Sequence, residues 1–165
     1  MIYTKKPEKI RIVFECNVEF AGECLNRHLL QGPDLSSNLV GVLCRFRQEQ
    51  VAVMCDIQGI FHQVSVNPEH HNFLRFLWWD NIYFDTQPNE YRMAVHLLGA
   101  TSSLGCATYA LKKAASDYGE QYGKSAAKVV ERNSNVDDGL KFLSSPELAF
   151  SLIESTKALC KMRGF

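Results

Sequence analysis

Val51-Ala52-Val53-Met54-Cys55-Asp56-Ile57 is an apolar run that ends on one carboxylate. Its length, its β-branched residues and the polar segments on either side predict a buried strand. A buried strand has little use for an ionised side chain at its tip, because desolvating a lone carboxylate is costly. Asp56 therefore asks for a functional reason. Carboxylates recur at Val136-Asp137-Asp138-Gly139, where the pattern predicts the turn of a hairpin between Val129-Val130 and Leu140-Phe142. Two carboxylate sites at strand ends, if brought together, would repel each other unless cations sat between them. Hard divalent ions such as magnesium suit oxygen-rich sites, and a pair of them about 3.5 to 4 Å apart serves in-line phosphoryl transfer. Paired Asp is also ordinary turn chemistry, so the spacing alone leaves both readings open.

Upstream of that run, Lys9-Ile10-Arg11-Ile12-Val13-Phe14-Glu15 alternates polar and apolar residues and predicts an early strand with Lys9 and Arg11 on one face. Leu25 to Pro33 reads as a linker. Asp34 or Ser36 then serves as N-cap for a helix whose apolar positions are Leu39, Val42, Leu43 and Phe46. Downstream, Gly59 to Val64 predicts a short helix closed by Asn67-Pro68. Phe73 to Trp79 and Tyr91 to Leu98 read as two strands joined by a long polar loop. Leu98 to Ser103 leads into a helix with Leu104, Ala107, Leu111, Ala114 and Tyr118 on one face, and the polar stretch Tyr118 to Lys128 reads as a connector. Ser145-Pro146-Glu147 opens a last helix lined by Ala149, Leu152, Ile153, Thr156, Leu159 and Cys160. The sum is an α+β (mixed α/β) chain with a mixed sheet covered by helices, folding as a single domain over residues 1–165.

Composition narrows the class. The 18 basic and 18 acidic residues balance, so only local clusters such as Lys5, Lys6, Lys9 and Arg11 bear on a polyanionic partner. Six cysteines without a C-x-x-C pair read as reduced, buried thiols rather than a disulfide frame or a zinc site. His62, His70, His71 and His96 lack zinc spacing, and no serine sits in a G-x-S-x-G setting. Met1 to Pro7 holds no apolar signal core and no run approaches the roughly 20 residues of a membrane span. The expected location is intracellular, in cytoplasm or nucleus, with no membrane partner.

Taken in order, Lys9-Ile10-Arg11-Ile12-Val13-Phe14, Leu29-Leu30-Gln31-Gly32-Pro33-Asp34-Leu35, Asp56-Ile57 with Phe61-His62-Gln63-Val64, Leu74-Arg75-Phe76-Leu77-Trp78-Trp79, Tyr91-Arg92-Met93 and Gly99-Ala100-Thr101-Ser102-Ser103 resemble a retroelement reverse transcriptase. The resemblance is nearest to the Pao/BEL class of long-terminal-repeat retrotransposons and runs from about Lys9 to Phe165. It implies the palm and fingers of a right-hand polymerase, copying an RNA or DNA template-primer into DNA from deoxynucleotide triphosphates with two magnesium (or manganese) ions.

The resemblance also implies roles. Asp56 is the first palm aspartate, and Asp137 with Asp138 is the aspartate pair of the second palm motif, all three holding metal. Ile57 and Phe61 lie against the incoming nucleotide, Phe61 beneath its sugar, while Lys9 and Arg11 hold its triphosphate. Gly99 to Ser103 forms the loop and helix start near the nucleotide. The chain departs from the family where Asn135-Val136-Asp137-Asp138 replaces Tyr-x-Asp-Asp and where Leu104 replaces a Pro. It is also expected to stop, at Arg163-Gly164-Phe165, before the primer grip and thumb, without the ribonuclease H, protease or integrase parts of a polyprotein. These departures admit an alternative: an inactive remnant that keeps the polymerase fold as a nucleic-acid-binding or protein-interaction module.

Overall fold

The computed structural model describes residues 2–3, 11–46, 48–80 and 84–165. In chain order the elements are β1 (Ile2–Tyr3), β2 (Arg11–Ile12), α1 (Leu39–Phe46), β3 (Val51–Asp56), β4 (Arg75–Trp78), β5 (Asn89–Arg92), α2 (Ser103–Tyr122), α3 (Lys124–Arg132), β6 (Ser134–Asn135), β7 (Asp138–Leu143) and α4 (Pro146–Lys161). Short 3-10 turns lie at Leu25–His28, Ile60–Gln63 and Pro68–Phe73. The fold is α+β. Its described strands form three small antiparallel sheets, β1-β2, β3-β7-β6 and β4-β5, in place of the expected single mixed sheet. The β6-β7 pair is a tight hairpin and β4-β5 a hairpin with a long loop, whereas β3 meets β7 antiparallel from far along the chain.

Two compact units arise, each woven from two stretches of chain: Met1–Gln31 with Val64–Ser103, and Gly32–Gln63 with Leu104–Phe165. In the first, Cys16, Leu74 and Leu97 form a buried cluster against which Phe14, Leu25, Val66, Met93 and Ala100 pack. Of the strands expected at Phe73 to Trp79 and Tyr91 to Leu98, β4 and β5 pair with Phe76 opposite Tyr91, but β5 begins at Asn89 inside the expected loop and ends at Arg92. Phe76 stacks on Tyr91 at 5.7 Å and meets Phe14 edge-on at 5.6 Å, geometries that aromatic quadrupoles favour. Of the expected early strand, Lys9 and Ile10 lie outside the described residues; among the described ones Arg11–Ile12 pairs with Ile2–Tyr3, and Val13 to Glu15 lie outside the strand.

The second unit corrects several expectations. The run at Val51 forms a strand, but among the described residues it is an edge strand bonded to β7 alone, and Met54 is 71% exposed. A continuous apolar run implies two covered faces only when helices lie on both, and here α4 packs on one side. Helix α1 starts later than expected because Asn38 caps it, its Oδ1 accepting from Gly41 N at 3.1 Å. Asp34 is occupied in its own turn, accepting from Ser36 N at 2.9 Å and Ser36 Oγ at 2.6 Å. Within α1, Val42 is buried while Leu39 and Leu43 stay exposed.

Ala107, Leu111 and Ala114 of α2 are buried as expected, joined by Ala115, but Leu104 points to solvent. The expected connector from Tyr118 to Lys128 is helical almost throughout, broken only where Gly123 adopts φ +110 between α2 and α3. Ala126, Val129 and Val130 recur at helical spacing and are buried, so the helix face overrides the strand preference of the two valines. They lie outside the hairpin, whose first strand is Ser134–Asn135. Helix α4 starts as read, with Ser145 Oγ accepting from Leu148 N at 3.4 Å and Pro146 in the first turn; Ala149, Leu152 and Leu159 are buried. All six cysteines are free, yet only Cys16 is buried and Cys44 and Cys55 are exposed. Among the described residues no helix is long and apolar enough to cross a membrane.

Candidate metal centre

Strand register builds the site. Asp56 is the last residue of β3 and pairs with Asp138, the first of β7. Asp138 also pairs with Asn135 of β6, which closes the hairpin over the two-residue turn Val136-Asp137. Just past the ladder, Ile57 N donates to Asp137 O at 2.9 Å. These constraints bring Asp56, Asp137 and Asp138 together, and one oxygen from each lies within 4.8 Å of the others.

Two local features hold the hairpin close to β3. A Cβ at Gly139 would come within 2.5 Å of Cys55 Sγ, so this register position accepts only glycine opposite the thiol. Asn133, buried at the end of α3, donates its backbone N to Val129 O and accepts from Leu140 N at 2.8 Å, and Ser134 Oγ donates to Val130 O. At the tip, Val136 sits at φ +58. That position of a two-residue hairpin ordinarily takes glycine, and a β-branched residue there stores strain of roughly 1–3 kcal/mol.

Asp56 and Asp138 are exposed and Asp137 is half-buried. Unit charges about 4 Å apart repel by about 1 kcal/mol in water and about 4 kcal/mol at the effective dielectric of a protein surface. Three carboxylates at this spacing present hard oxygen donors only, on a face open to water and to a phosphate, which fits the coordination that magnesium or manganese takes up. The neighbouring thiol does not compete. Desolvation of the sulfur raises the Cys55 pKa, a backbone hydrogen bond from Gly139 opposes that, and the charges of Asp138 and Asp56 raise it further, so Cys55 remains a thiol, its Sγ 3.6 Å from Gly139 O.

The remaining expected site residues are distributed as follows. Ile57 adjoins the acidic cluster through its backbone, and Phe61 is half-buried in the turn Ile60–Gln63 of the same unit. Lys9 lies outside the described residues, and of Arg11 the backbone alone is described, in β2. Gly99 and Ser103 belong to the first unit. Gly99 has φ +115, and a Cβ there would stand 2.1 Å from Phe14 O. Asn26, which the sequence pattern did not single out, donates to Gly99 O at 3.1 Å and accepts from Thr101 N at 2.8 Å. Ser103 is buried, its Oγ 3.4 Å from His96 Nδ1. The close approach of Gly139 to Cys55 and the strain at Val136 were also missed; an Asp-Gly pair after the turn was the only hint of the first. Compared with known proteins, the chain matches no family model and no curated protein.

Proposed function

We propose that the chain is a palm-and-fingers domain of an RNA-directed DNA polymerase of the Pao/BEL retrotransposon kind. The observation that carries this reading is the meeting of Asp56 with Asp137 and Asp138, distant in sequence, with oxygens within 4.8 Å. Those are the residues that the resemblance marks as metal ligands. Asp56, Asp137 and Asp138 would hold magnesium or manganese, and two such ions, when bound, supply charge that steadies the attacking and leaving oxygens of phosphoryl transfer.

The chain itself contributes positioning. The 3′-hydroxyl of a primer gives up its proton to solvent and forms the new P–O bond at the nucleotide α-phosphorus, the bond to the α,β-bridging oxygen breaks, and diphosphate leaves with the electron pair. No protein nucleophile takes part, so rate comes from alignment and electrostatics. Phe61 would support the sugar, and Lys9 with Arg11 would neutralise the triphosphate.

The test is primer extension by the full chain on a homopolymer template with magnesium or manganese. Extension is expected, and Asp137→Ala should lower it by more than about a hundredfold, as removal of a metal ligand does. Asn135, standing where the resemblance expects an aromatic, favours the second reading of an inactive nucleic-acid-binding module. Template binding without synthesis, unchanged in Asp137→Ala, would establish that second reading and refute the first.

A further inference from the structure

A cavity of about 540 Å³ lies between the β3-β7 pair and α4, within the size range that encloses small organic ligands. Its apolar wall comes from Val53, Ile57, Leu152 and Ile153 with the ring of Phe165. Two thiols, Cys55 and Cys160, complete that wall uncharged. Burial foremost, and then the neighbouring Cys55, pushes the Cys160 thiol up to about 11.

The polar atoms on the lining are few and lopsided. Its charged residues are three lysines, Lys141, Lys157 and Lys161, against one carboxylate residue, Asp56. Lys157 is paired with Glu154 at 3.3 Å, while Lys141 and Lys161 form no ion pair among the described residues. Lys141 pairs in register with Val53, three positions from the Asp56–Asp138 pair, so about 10 Å of strand separates the two backbone positions. Gln58 and Gln63 add uncharged amides to the lining.

We propose that this cavity binds an amphipathic carboxylate, an aliphatic chain lying on the apolar wall with its head group toward the lysines. The occupant is defined by charge: an apolar chain alone leaves the amines unanswered, and a cationic amphiphile meets three like charges. The site adjoins the carboxylate cluster through Asp56 and Ile57 but does not depend on polymerase activity.

Isothermal titration of the full chain with decanoate tests this. Saturable one-to-one binding is expected, with octanoate about tenfold weaker for the loss of two buried methylenes. Decylamine should bind at least tenfold more weakly than decanoate. Lys157→Glu/Lys161→Glu, both at exposed positions, should weaken decanoate tenfold or more while leaving the melt unchanged, and Ile153→Trp should abolish binding by filling the space. Absence of saturable binding overturns the proposal, as does equal affinity for decanoate and decylamine. Should Ile153→Trp fail to fold, the charge reversal decides alone, and unchanged decanoate affinity there also overturns it.

Discussion

The turn Val136-Asp137 and the loop Gly99 to Ser103 each place a positive-φ residue beside a position that the sequence marks for nucleotide chemistry, and they hold it by opposite means. In the loop every demand is met. Glycine occupies φ +115, Asn26 satisfies both Gly99 O and Thr101 N, and Ser103 is buried near His96. In the turn the demands stand open, with valine at φ +58 and three carboxylates crowded within 4.8 Å. Strain and like-charge repulsion persist only where the surrounding structure imposes them, and they gather where a ligand is to be received. The difference leaves the loop internally satisfied and the turn with strain and charge unanswered.

The loop side of that contrast predicts the largest effect. Gly99→Ala places a methyl group against the Phe14 carbonyl, a backbone atom 2.1 Å away that cannot swing aside. Overpacking and a disfavoured φ together should cost about 3 kcal/mol or more, a fall in Tm of about 6–12 °C for a chain of this size. Urea denaturation measures it, and a loss below about 1 kcal/mol would erase the contrast by showing that the loop yields. The turn side predicts a change of opposite sign. Val136→Gly releases backbone strain and is offset in part by unfolded-chain entropy, so without divalent ions the variant should gain about 1 kcal/mol. Val136→Ala keeps a Cβ at φ +58 and should gain less than half of that.

The contrast also shows what the sequence could and could not convey. The carboxylate cluster was legible because Asp56 ends an apolar run and Asp137-Asp138 sits in turn chemistry, both local signals. The helix α4 was legible for the same reason, through Ser145 and Pro146. Burial of β3 was misread because a run of Val, Ala and Met reports apolarity without reporting how many neighbours the strand will have, and β3 ended at a sheet edge. Helix α3 was hidden because Lys124, Ser125, Lys128 and Glu131 mask the period set by Ala126, Val129 and Val130. Asn26 could not be found from its neighbourhood at all, since its partners at Gly99 and Thr101 are far along the chain.

The smallest predicted effect separates the two regions by what they respond to. Burial lowers the pKa of His96 below its ordinary 6.5, because a half-buried imidazolium loses hydration that Ser103 Oγ alone does not replace. The folded state therefore favours the neutral ring. Its contribution to stability is fully present above pH 6.5 and is lost as pH falls through the folded value. Thermal melts of the wild type should be level from neutral pH to about 6.5 and, between there and the folded value, decline by a few degrees more than those of His96→Gln, which carries no titrating ring. Magnesium should leave this difference untouched, since Ser103 and His96 offer no hard anionic ligand, while raising the Tm of both proteins through the carboxylates at Asp56, Asp137 and Asp138. If magnesium instead abolished the His96 difference, the loop and the turn would be coupled, and the division of labour between them would fail.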